Sequence, residues 1–175
     1  MSILYEACVP QMAKMLRQLD AWLVEAIDYA ASRDFDPERF VTERLHPDMF
    51  ALTGQIQSAC DTAKFAGARL TGTEAASDPD DETTLAQLRA RIKKTIDGLE
   101  ALDASQFEGA ETREFRFAAV PEGKATRGLP YFIEFAQPNF YFHLTMAYAL
   151  LRQGGVKLGK RIYIGSLPLH DLAGS

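Results

Sequence analysis

The N-terminal segment carries an apolar stripe that only a long helix can gather onto one side. Cys8, Met12, Met15, Leu19, Trp22, Ala26 and Tyr29 recur at alternating intervals of four and three, the period at which helical side chains line up. Leu16, Leu23 and Ala30 broaden the stripe to the width of a bundle helix rather than a two-stranded seam. Pro10 falls near the predicted helix start, where a missing N–H costs least.

The rest of the chain repeats the pattern with interruptions. "SRDFDPERFVTERLHPDMF" reads as a polar connection whose second proline opens helix two, because Pro47 suits the first helical position and Asp48 the positive end of the dipole. Helix two is predicted to run to about Leu70, with Met49, Leu52, Ile56, Ala59, Ala63, Ala66 and Leu70 inward. Its small residues predict close packing. Phe50 and Phe65 lie off that stripe and predict a second buried surface, covered by another part of the chain or another subunit. Residues 71–81, "TGTEAASDPDD", form a loop. Helix three follows, capped by an aspartate, with Leu85, Leu88, Ile92, Thr95, Leu99 and Leu102 inward. "TREFRFAAV" alternates as a short strand, with Phe115 and Phe117 on one side and a hairpin turn at Pro121-Glu122-Gly123. "PYFIEFAQP" either extends the hairpin or begins the last helix. Helical spacing places Phe132, Ala136, Asn139, His143, Ala147 and Leu150 on one face and Pro138 opposite, so it reads as one bent helix from about Pro130 to Gln153, ended by Gly154-Gly155. The expected fold is all-α: a four-helix bundle in a single domain, residues 1–175, with a small β-hairpin between helices three and four.

The totals exclude several functions. A hydrophobic fraction of 47% and a charged fraction of 25% are those of a soluble globular protein. With 24 acidic against 19 basic residues the net charge is −5, which offers no overall positive field to nucleic acid or anionic lipid. Neither a secretory signal nor a membrane-spanning apolar run is present, so a cytoplasmic location is expected. Cys8 and Cys60 lack the spacing of a disulfide framework or zinc site and fit a reducing compartment.

His143 is the residue whose chemistry is most open. On the inward stripe it reads as a metal ligand, a general base or an inert core histidine. Asn139 stands one turn before it and Ala147 one turn after, where a metal pair would want a donor. A buried imidazole must still satisfy its ring nitrogens, and Asn139, Thr95, Gln57 and Asp61 are the candidate partners. His46, at the start of helix two, is separated from His143 by an axial offset of roughly 15 to 20 Å at ~1.5 Å per residue, too far to share a metal. His170 lies in an irregular tail. Gln57, Asp61 and Lys64 form one flank of helix two level with His143, either a polar pocket wall or a solvated face. Cys60 shares that level, as a thiol–imidazole partner or a small buried hydrophobe. "GGVKLGKR" approaches a phosphate-loop pattern, but Arg161 replaces the hydroxyl residue and the motif follows a helix. It reads as a helix stop and a basic turn facing the acidic loop around Asp78 to Asp81.

"RLHPDMFALTGQIQSACDTAKFAGARL" and "QPNFYFHLTMAYALLRQGGVKLGKR", with the spacing between them, resemble an uncharacterised bacterial family of unknown function in the DinB/YfiT-like metalloenzyme superfamily. The resemblance implies a bundle of up-down-down-up order, usually dimeric. A loop of about eleven residues reaches ~36 Å, enough to return along the bundle between parallel helices. Metal-binding relatives use three histidines, one on helix two and two a turn apart on helix four. Only His143 has a counterpart in that set. The expectation is a cytoplasmic homodimer with no cofactor and no catalytic metal, holding a small molecule in an interhelical pocket drawn from His143, Asn139, Gln57, Asp61, Cys60 and Thr95. The alternative is a metal-dependent thiol-transferase-like enzyme with a divalent metal on His143 and Asp61. A third reading is a structural or stress-related partner protein without a pocket.

Overall fold

In the computed structural model, which describes residues 2–170 and 172, α1 (Ile3–Ser32) buries Cys8, Met12, Met15, Leu19, Trp22 and Ala26, with Leu16, Leu23 and Ala30 beside them. Pro10 is not at its start. The helix begins at Ile3, so the proline lies past the first turn, exposed on the solvent side, where a lost helical bond is tolerated.

A 3-10 turn, Pro37–Thr42, puts Phe40 and Val41 into the core. α2 spans Leu52–Thr71 and therefore starts later than Pro47. The intervening residues bond to one another instead. Leu52 N–H donates to Glu43 O (3.0 Å), Arg44 Nη1 to Met49 O (2.6 Å) and Thr53 Oγ1 to Val41 O (3.0 Å), and His46 pairs with Asp48. Such local bonds compete with helix initiation, and they leave Pro47, Asp48, Met49 and Phe50 ahead of the helix. Its inward side carries Ala59, Ala63, Ala66 and Gly67, and Leu99 and Leu102 come close enough to meet a Cβ at Gly67. Gly72 ends it at φ 73°, a left-handed cap.

α3 (Leu85–Glu100) starts at a capping box formed by Thr84 and Gln87, not at an aspartate. The loop's acids are drawn to cations instead. Arg91, with 3% of its side chain exposed, sends Nη1 to Pro79 O (3.1 Å), Asp80 (2.9 Å) and Glu82 (3.0 Å), and Nη2 to Asp61 of α2 (2.9 Å). Gln57 Nε2 donates to Glu82 (2.8 Å) and Lys64 Nζ to Asp78 (2.7 Å), which also pairs with Lys94. The loop is thereby strapped across α2 and α3.

The basic turn "GGVKLGKR" does not reach that loop. It leads into α6 (Lys160–Ile164), which docks on α1: Gln18 Nε2 donates to Ile162 O (2.7 Å), and Tyr163 stacks on Trp22 with ring centroids 5.3 Å apart. Stacked aromatic burial outweighs any long-range attraction between exposed charges.

The hairpin is shorter than expected. β1 (Glu114–Phe115) pairs antiparallel with β2 (Thr126–Arg127), Glu114 opposite Arg127, and Lys124 N–H closes the predicted turn on Pro121 O (3.1 Å). Phe117 lies beyond the strand, against the rings of Tyr131 (5.2 Å) and Phe135 (4.9 Å).

The last long helix is continuous but not regular. α4 (Gly128–Tyr131) passes through a π-helical turn (Phe132–Ala136) into α5 (Gln137–Gln153). Gly128 is obligatory, because a Cβ there would lie 1.9 Å from Ala110 O. Gln137 N–H reaches back five residues to Phe132 O, just before Pro138, which has no N–H to continue the ladder. The widened turn absorbs an extra residue and shifts the phase of α5 relative to α4. Phe132, Ala136, Phe140, Leu144, Ala147 and Leu151 are buried, whereas Asn139 and His143, expected to face inward, are half-buried flank residues.

Removing one partner from a buried charge cluster is costly, so Arg91→Met is expected to destabilise the fold by about 3 kcal/mol in chemical denaturation. Hydrogen bonds from Lys64 and Lys94 hold the Asp78 carboxyl at about 2, below its ordinary 3.8. A depressed carboxylate stabilises the fold above its unfolded value and loses that contribution as pH falls toward its folded one. Denaturation midpoints are therefore expected to drop between pH 4 and pH 2, and to drop less in Asp78→Asn.

Candidate functional site

Gln55 lies three residues after Leu52 and four before Ala59, on the inward side of α2, and is buried. Its Nε2 donates to Phe50 O (3.2 Å), which turns Oε1 toward Nδ1 of His143 at 2.8 Å. Oε1 only accepts, so Nδ1 carries the ring hydrogen and Nε2 keeps a free lone pair. Phe50 stacks over the imidazole (centroids 6.3 Å, 18°) and Phe142 meets it edge-on (5.2 Å). Burial pushes the pKa of His143 below the ordinary histidine value, so the ring is neutral at physiological pH.

One turn earlier, Asn139 Nδ2 donates to Thr62 Oγ1 (2.7 Å), and Thr62 Oγ1 donates to Ser58 O (2.7 Å). These bonds tie α5 to α2 along an open groove of about 290 Å³. Ser58, Asp61, Thr62, Phe65 and Arg69 form one wall, Tyr131, Phe135, Asn139 and His143 the other, and Phe117, Ala118 and Ala119 of the hairpin segment close one end. At that end the Arg69 guanidinium lies 4.5 Å from the ring centroid of Phe117, 5.1 Å from Phe65 and 5.5 Å from Tyr131, and Nη1 donates to Tyr131 OH (2.9 Å). Burial raises the pKa of the Tyr131 phenol, and Arg69 partly offsets this.

Of the residues picked out by sequence, His143, Asn139 and Asp61 line this groove. Gln57, Cys60 and Thr95 do not. Gln57 is spent on Glu82. Cys60 is buried against Thr95 and the Arg91 charge, with burial pushing its thiol up to about 12, so it stays protonated and away from His143. The later start of α2 also alters depth. The first turn of the helix and Phe50 ahead of it, rather than its middle alone, stand level with His143. His46 and His170 are both exposed. Sequence reasoning passed over Gln55 and Arg69. Gln55 carried a signal in its core-face spacing, and Arg69 stands one turn after Phe65 on the same flank.

A larger cavity, about 460 Å³, lies between α1 and α3, but its charges are already matched as Arg17–Glu100, Arg89–Asp20 and Lys93–Asp97. In the α2–α5 groove, His143 Nε2 and most of the Arg69 guanidinium have no hydrogen-bond partner among the described residues. As for a metal, Asp61 Oδ1 already accepts from Arg91 Nη2 (2.9 Å) and Lys64 Nζ (3.0 Å). No three His, Cys, Asp or Glu side chains among the described residues are arranged to hold an ion, so the donor set does not fit the superfamily's metal centre.

Fold and groove define a mostly helical protein of the DinB-like kind. A crystal structure of a DinB family member protein from Shewanella denitrificans is 40% identical to the chain, covers 97% of it and 96% of its own length, and superposes with a TM-score of 0.93. Residues 4–164 match the family model "Domain of unknown function (DUF1993)", and the chain belongs to that family. No curated protein matches it. Among the described residues no helix is long and apolar enough to cross a membrane.

The tautomer is directly testable. In nitrogen-15 correlation spectra His143 is expected as the neutral Nδ1–H form at pH 7.5 to 8, above its lowered pKa. Gln55→Leu is expected to abolish the protected Nδ1 proton signal while the backbone spectrum is retained.

Proposed function

We propose that this DUF1993 protein binds a small molecule in the α2–α5 groove beside His143, without a catalytic metal. The observation that carries this reading is the combination, in one concavity, of four aromatic walls with a free imidazole Nε2 and a guanidinium that has no carboxylate within 4.0 Å among the described residues. Apolar walls with a few convergent polar groups are the usual make-up of a ligand site, and 290 Å³ sits at the lower end of the usual range of about 300–1,000 Å³. The thiol-transferase alternative on His143 and Asp61 has less support, because Arg91 and Lys64 occupy Asp61.

The scaffold is proposed to be a single-domain, cytoplasmic four-helix bundle in up-down-down-up order. Contacts between the helices support that order. Gln57 reaches Glu82 just ahead of α3, while Gly67 faces Leu99 and Leu102 at its far end, so α2 and α3 run alike. Gln11 bonds Tyr141 and Tyr29 abuts Gly155, so α1 and α5 run alike. We further propose a homodimer. Phe65, expected at the interface, is engaged with Lys64 and Arg69 within its own chain. The support comes from Phe50 (57% exposed) and Phe142 (51%), which flank His143, and from Ile133 (53%).

Three measurements test these readings. A fragment library screened by two-dimensional NMR is expected to shift groove residues, including Asn139 and His143, and Ser58→Trp, which fills the groove, is expected to abolish those shifts. Shifts confined to other surfaces would overturn the groove. Sedimentation is expected to give a dimer at micromolar concentration that Phe50→Glu/Phe142→Glu converts to monomer. Stoichiometric zinc, nickel or iron in the purified protein, lost in His143→Ala, would favour the enzyme instead.

A further inference from the structure

The charge along the groove is unbalanced at one end. Asp61 is paired twice, to Arg91 and Lys64, and Lys64 is also held by Asp78 (2.7 Å). His143 is neutral. Arg69 is different. Of its five donors only Nη1 has a partner among the described residues, the neutral phenol of Tyr131. None of the others is sealed from solvent, since Arg91 Nε is the buried side-chain nitrogen or oxygen lacking a partner among those residues.

The rings around Arg69 decide how those donors are presented. Phe65, Phe117 and Tyr131 crowd the guanidinium at 4.5 to 5.5 Å, which strips water from it and leaves its N–H edges for an acceptor in the groove. A guanidinium edge matches a planar two-oxygen anion bidentately. The charge count selects among such anions. A dianionic phosphate monoester would want a second free cation, and Lys64, which shares the Phe65 ring with Arg69, is committed to two aspartates. A carboxylate carries the single charge that Arg69 balances. Beyond it, Phe65, Phe117 and Phe135 line the same groove, with Phe117 and Phe135 packed together at 4.9 Å, and give apolar surface against which a flat ring can lie. His143 lies twelve residues along the helix from Tyr131, about 18 Å of axial rise, and so plays no part in holding the anion.

We propose that the groove selects small aromatic carboxylates, the carboxylate seated on Arg69 and the ring between the aromatic walls. This rests on the groove being a ligand site, and the probes separate the two ideas. 2-Naphthoate and its neutral isostere 2-naphthamide would be titrated by NMR into the full chain. Naphthoate is expected to bind at least about tenfold tighter, the scale of one charge-assisted hydrogen-bonded pair. The preference is expected to vanish in Arg69→Met, to persist in part in Arg69→Lys, and to be unchanged in His143→Ala, with thermal melts checking that each variant is folded. Equal binding of acid and amide, or a preference that survives Arg69→Met, overturns the anion assignment while leaving the groove as a ligand site. Tighter binding of phenyl phosphate than of naphthoate overturns the choice of carboxylate. Failure of both naphthalene probes to shift any groove residue counts against both ideas.

Discussion

One guanidinium connects the fold of this protein to the chemistry of its groove. Arg91 is buried on α3, yet its contacts run to α2 through Asp61 and to the 72–84 loop through Pro79 O, Asp80 and Glu82. Burial alone would lower its pKa, but the hydrogen bond to Glu82 and the charges of Asp61, Glu82 and Asp80 outweigh that, and the pKa is raised. The same bond works on Glu82. Burial raises that carboxyl, and the bonds from Gln57 and Arg91 more than reverse it. A buried cation held in this way is a specifying device as much as a stabilising one, because this placement of the loop adds Asp80 and Glu82 to the Asp61 carboxylate of α2. Its effect does not stop at the loop. Together with Lys64 it pairs Oδ1 of Asp61, the carboxylate on the groove wall, so that charge is already partly balanced.

The second determinant is the widened turn at Phe132–Ala136. A regular helix would carry the spacing of Phe132 and Ala136 on to Asn139 and His143, and both would then point into the core, where an imidazole and an amide must find buried partners or cost stability. The π-helical turn advances the phase by one residue, so Phe140 and Leu144 take the core positions and the two polar side chains come to the flank. There each meets one partner on α2 and keeps another edge open to the groove. Single π-turns recur near functional sites for this reason: one inserted residue re-aims everything after it.

Helix periodicity is a local property, and the four long helices, a loop between helices two and three (read at 71–81, found at 72–84), the hairpin turn and the Gly154-Gly155 stop were all legible in the sequence. What was not legible depended on competition between bonds. Pro47 and Asp48 form a good helix start by propensity, but Arg44, Glu43 and Thr53 offered the same backbone other partners. Phe65 looked unpartnered because a search for apolar neighbours overlooks its contacts with the cations Lys64 and Arg69. Two polar residues did carry a signature that periodicity reading discounts. Gln55 falls between Leu52 and Ala59, and Arg91 between Leu88 and Thr95, each three residues after one core position and four before the next. A polar residue at a core offset is either a surface position misread or a buried group with a dedicated partner set, and here both are the latter.

His143 was the residue most open to a catalytic reading, and its surroundings argue for a different division of labour in the groove. Its Nδ1 is fixed by Gln55, its charge is suppressed by burial, and it is flanked by Phe50 and Phe142 at the exposed end. A neutral acceptor of that kind orients a ligand through one hydrogen bond, worth a modest net free energy. Arg69, at the aromatic end, offers a full charge with partly dehydrated faces and unused donors, and charge-assisted bonds in such settings are roughly twice as strong as neutral ones. Affinity for a small acid should therefore reside with the arginine, while the histidine, about 18 Å further along the helix, serves the other end of the groove.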